Sequence, residues 1–130
     1  MKTRGKSAKL WLAIVLDAAL ILLFAGIGRD AHHQGEGVLG ILATAWPFLV
    51  GAALGWGVVR AWRSPSRIWP AGVGVWLGAL IGGMLLRALT GQVVVLAFII
   101  VASLFLALML LGWRVVCLII SALRSKLKTL

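Results

Sequence analysis

The chain has 130 residues, 62% of them hydrophobic and 12% charged, with 13 Lys and Arg against three Asp and Glu and a net charge of +10. A soluble domain is about half apolar and about a quarter charged, so an ordinary soluble domain is excluded and one membrane domain, residues 1–130, fills the length. The single cysteine, Cys117, excludes an internal disulfide and a cysteine-based metal cluster.

Lys2, Arg4, Lys6 and Lys9 lead into a first apolar run, about residues 10–28. It is longer than the apolar region of a signal peptide, contains Asp17 and has no A-x-A cleavage signal after it, so a retained span is expected. A polar break holding Arg29, Asp30, His32, His33 and Glu36 leads to a second run, about 38–59, with Pro47 in its middle, where a kink is expected. A third run, about 68–88, follows Arg60, Arg63 and Arg67. Thr90-Gly91-Gln92 then reads as a tight hairpin into a fourth, about 93–120, whose apolar stretch Val115–Leu123 carries the helix past Arg114. Each run is near or above the ~20 residues that a helix needs to cross the hydrocarbon core. The alternation of a closed barrel is missing. The expected fold is all-α, an integral membrane four-helix bundle.

Lys and Arg gather at alternate breaks. Eleven of the 13 fall at the N-terminus, in the second break and at the C-terminal end, leaving Arg29 and Arg87 on the other side. This bias predicts both termini in the cytoplasm, and it accounts for the net charge without nucleic acid, since no helix is both basic and free of the membrane. Trp11, Trp62, Trp69 and Trp113 fall near the cytoplasmic ends, as an interfacial belt would. Leu54-Gly55-Trp56-Gly57-Val58-Val59 matches Leu111-Gly112-Trp113-Arg114-Val115-Val116 at five of six positions. Two repeated helical hairpins are one reading of that match.

Gly74, Gly78 and Gly82 share one face of the third span, and Gly51 and Gly55 one face of the second. Small residues at this spacing let backbones approach closely, either within one chain or across a dimer. Asp17 is the only acid inside a span. It lies ~10 Å past Leu10 at ~1.5 Å per residue, where an ionised carboxylate costs on the order of 3 kcal/mol, so it must be neutral, paired or facing water. Depth makes Arg114 its first candidate partner and Arg60 the second. Arg87 and Arg29 lie near the outer surface, where Asp30, Glu36 or lipid phosphates can meet them. Adjacent His32 and His33 point about 100° apart on a helix and make no convincing metal site. No phosphate loop, HExxH or G-x-S-x-G motif is present, so neither an enzyme nor a cofactor is expected.

Asp17-Ala18, Gly28-Arg29, Ala43-Thr44-Ala45-Trp46-Pro47-Phe48, Gly72-Val73-Gly74-Val75-Trp76, Gly83-Met84-Leu85-Leu86-Arg87 and Leu111-Gly112-Trp113-Arg114 resemble the domain of unknown function 3054 family of small bacterial membrane proteins. The resemblance covers roughly residues 10–116. It implies a multi-pass inner-membrane (plasma-membrane) protein, sets Asp17, Arg29, Arg87 and Arg114 within the family's pattern, and supplies no catalytic residue. The expected role is a non-enzymatic structural or accessory subunit, in contact with the bilayer and with a second copy or another membrane protein. The alternative is a small proton- or cation-coupled transporter acting as a dimer through Asp17, an architecture similar to that of small multidrug exporters.

Overall fold

Apolar residues in long unbroken runs must satisfy their own backbone groups in lipid, and helices do so within one segment. The computed structural model describes residues 2–31, 37–92 and 94–130, with side chains from Ser7 onward except at 29–31. His32, His33 and Glu36 lie outside the described residues, as do the side chains of Arg29 and Asp30. Among the described residues there are helices and turns but no strand. We label the four long helices α1 (Lys2–Ala31), α2 (Gly37–Val58), α3 (Ile68–Leu89) and α4 (Leu96–Thr129). All four are long and apolar enough to cross a membrane. Large apolar side chains stand exposed on every one, among them Leu12, Leu39, Leu85 and Leu104. That is the surface expected of a protein whose solvent is lipid.

The core is built on a four-residue repeat. Ala13, Asp17, Ile21 and Ala25 are buried along α1, Ala71, Val75, Ala79 and Gly83 along α3, and Ala102, Leu106, Leu110 and Arg114 along α4. In a regular α-helix such a stripe drifts by about 40° per step, because a turn takes 3.6 residues. Wider π-helical turns at Gly78–Gly82 and Ala107–Leu111 take up this drift in α3 and α4. At one end of the bundle all four phenylalanines meet: Phe24 lies 5.3 Å from Phe48, 6.2 Å from Phe98 and 5.5 Å from Phe105 between ring centroids.

The glycine faces of α2 and α3 pack against each other. A Cβ on Gly55 would lie 2.5 Å from the Gly74 carbonyl oxygen, and one on Gly78 would lie 2.6 Å from that of Gly51. A Cβ on Gly82 would lie 2.8 Å from Gly51 Cα. Of the two readings of the third-span face, packing within one chain or across a dimer, the structure makes the first: α2 covers it. Dispersion is short-ranged, so removing five Cβ atoms draws these backbones together where no hydrophobic force would. Pro47 is buried and does not end α2, which continues to Val58.

The connections differ from the expected breaks. Helix α1 continues through the basic N-terminal residues and on to Ala31. The hairpin is longer than three residues, because Val95 is extended and α4 begins only at Leu96. Gly91, at φ 80°, closes α3: its N–H donates to Ala88 O at 3.2 Å and the Gln92 N–H to Arg87 O at 2.8 Å. The left-handed turn that follows α2 carries Arg60 instead, at φ 51° and ψ 53°. A side chain there costs roughly 1–2 kcal/mol relative to right-handed backbone. Arg60→Gly should accordingly raise stability in detergent by about 1 kcal/mol, read from the midpoint of SDS-induced unfolding.

Candidate functional site

Asp17 falls on the buried stripe of α1 and Arg114 on that of α4, so the packing that forms the bundle also brings the two charges together. They are 3% and 0% exposed. Arg114 approaches end-on: Nη2 donates to Asp17 Oδ2 at 2.8 Å and Nη1 to Oδ1 at 3.0 Å. This bidentate fork is the strong geometry for a guanidinium and a carboxylate. Gly72 on α3 makes room for it, since a Cβ there would lie 2.8 Å from Arg114 Cδ.

Two indoles complete the carboxylate. Trp113 Nε1 donates to Oδ1 at 2.8 Å, and Trp56 Nε1 donates to Oδ2 at 3.0 Å. A carboxylate offers about four acceptor positions, and all four are taken. The guanidinium is nearly as complete: Nε donates to Pro65 O at 2.9 Å and Nη1 also to Leu110 O at 2.8 Å. Its Cζ lies 4.3 Å from the centroid of the neighbouring Trp113 ring, within cation–π range. The charges cancel, and the low dielectric strengthens each of these bonds. One carboxylate thus ties α1 to α2 and α4, and through Arg114 to the α2–α3 connection at Pro65.

Depth in the bilayer points from Asp17 to Arg114, the contact the structure makes. Arg60, the second candidate, instead borders a cavity at the end of α2. Trp113 is not an outward belt residue. It is half-buried and turned to Asp17, whereas Trp11, Trp62 and Trp69 are exposed. Sequence reasoning missed both indoles as ligands of the carboxylate. Their signal was the repeated Leu-Gly-Trp, which delivers one Trp to each oxygen of Asp17. Arg87 lies with its Cζ 4.6 Å from the Phe98 ring centroid, at the phenylalanine end of the bundle. Trp76 Nε1 donates to Ser103 O at 3.0 Å and links α3 to α4. No group of three or more His, Cys, Asp or Glu that could hold a metal occurs among the described residues.

Four apolar helices around a buried charge pair define a multi-pass membrane protein. Within that class the chain belongs to the family described as protein of unknown function, DUF3054, which matches residues 14–117 and so includes both Asp17 and Arg114. No curated protein and no solved structure matches the chain.

Proposed function

We propose that this protein is a non-enzymatic structural or accessory component of the bacterial plasma membrane, with both termini in the cytoplasm, working through its lipid-facing and helix-facing surfaces. The observation that carries this reading is the closure of Asp17: each acceptor position already holds a protein N–H. A coupling carboxylate must exchange its ligand for a proton or cation, and here that exchange requires breaking the contacts that hold three helices in register. The charge bias of eleven to two supports the orientation.

The test is a flux assay in liposomes holding the purified protein and a trapped pH dye. Wild type and Asp17→Asn should leave proton flux at the level of empty vesicles under a potassium diffusion potential, with or without sodium. A proton or sodium flux present in wild type and lost in Asp17→Asn would establish the transporter reading instead.

A further inference from the structure

The α2–α3 connection holds positive charge that no carboxylate among the described residues neutralises. Arg60, Arg63 and Arg67 border a cavity of about 270 Å³, together with Val58, Ser64 and Pro70, and no carboxylate lines it. The chain has only three acids. Asp17 is saturated by Arg114 and the two indoles. Asp30 lies in the last turn of α1, well past Asp17 along the helix.

The connection is also a built turn. The Arg63 N–H donates to Arg60 O at 3.0 Å, Ser64 to Ala61 O at 3.2 Å and Arg67 to Ser64 O at 3.1 Å. Ala61 anchors it at 1% exposure, and Arg114 Nε holds its Pro65 carbonyl. Arg60 keeps a left-handed backbone at which glycine is the usual residue, and that conformation sets it on the cavity rim. Such strain persists where the surroundings over-determine it, and it concentrates at ligand sites.

We infer that this cavity binds the phosphate-bearing headgroup of an anionic phospholipid. Guanidinium forks match phosphate oxygens bidentately. The volume lies just below the ~300 Å³ at which drug-sized pockets begin, which suits a small headgroup. Apolar surface adjoins the charge: Val58 is 82% exposed on the cavity wall, and Leu54 is 61% exposed one turn further along α2. An acyl chain can follow that face while the phosphate stays among the arginines. Exposed Trp62 and Trp69, beside the cavity in sequence, fit the headgroup level of a bilayer. The site does not depend on whether Asp17 is structural or carries ions.

The experiment is native mass spectrometry of the full-length protein in detergent with equal phosphatidylglycerol and phosphatidylcholine. Wild type should retain phosphatidylglycerol preferentially. Arg63→Gln/Arg67→Gln should weaken that retention by about tenfold or more, since each basic side chain near anionic lipid counts for roughly fivefold. Arg124→Gln/Lys126→Gln, which removes two charges from the end of α4, should retain lipid as wild type does. Arg63→Lys/Arg67→Lys preserves charge and topology and should still lose part of the preference with the planar fork. Equal loss in both Gln pairs, or no loss in the cavity variants, overturns the proposal. Displacement of the lipid by millimolar inorganic phosphate identifies a free-phosphate site and overturns it as well.

Discussion

Arg114→Met should cost about 3–5 kcal/mol of stability, because it leaves a buried carboxylate without its counter-charge. The measurement is reversible unfolding in mixed detergent and SDS. In wild type the cost of bringing Asp17 below the membrane surface is offset by four hydrogen bonds and a cancelling charge. Methionine fills much of the arginine's volume but removes the donors to Asp17, Pro65 and Leu110 together. Asp17→Leu should be damaging in the same way, with a guanidinium stranded among Leu110, Trp113 and Gly72. The double variant Asp17→Leu/Arg114→Met removes both charges and should be less damaging than either single one. It will not be fully neutral, since two indole N–H groups lose their acceptor, at roughly 1–3 kcal/mol for each that stays buried. A double variant whose loss equals the sum of the two single losses would show that the pair does not hold the bundle together.

Gly78→Ala should destabilise by about 1–3 kcal/mol, and Gly78→Leu should prevent α2 and α3 from packing at all. The new Cβ would meet Gly51 O at 2.6 Å and Gly55 Cα at 2.8 Å. Both are backbone atoms of a helix and cannot swing aside as a side chain would, so the helices must separate along the whole contact. Gly57→Ala is the matched control: nothing lies within 4 Å of its Cβ position. There alanine should gain up to ~1 kcal/mol of helix propensity. Equal behaviour of the two alanine variants under SDS titration would mean that the α2–α3 contact is looser than described. If Gly78 instead faced a second copy of the chain, Gly78→Leu would change the oligomer and leave the unfolding midpoint of the monomer in place.

Much of the fold is legible locally. Apolar run length and the absence of strand alternation are properties of one segment at a time, and they suffice for four membrane helices. Depth is nearly as local: counting ~1.5 Å per residue from the helix ends points Asp17 toward Arg114 before any packing is known. Helix rotation is not local. The glycine spacing on α2 and α3 marks two close-packing faces, but whether they meet each other or another molecule depends on how both helices are turned. Trp113 shows the same limit, because the composition of a belt and that of an inward donor are identical.

The sequence by itself therefore determined the membrane environment, the number of helices and the one acid that lipid cannot tolerate alone. Those follow from transfer energies that add along the chain. Only the tertiary structure decided how that acid is satisfied. The π-helical turns in α3 and α4 straighten buried stripes that a regular helix would let drift. The glycine contact sets how near α2 lies, and the Arg60 turn brings the Pro65 carbonyl under Arg114. Each is a relation between segments, and it is these relations that complete the four hydrogen bonds on Asp17 and leave three arginines around an open cavity.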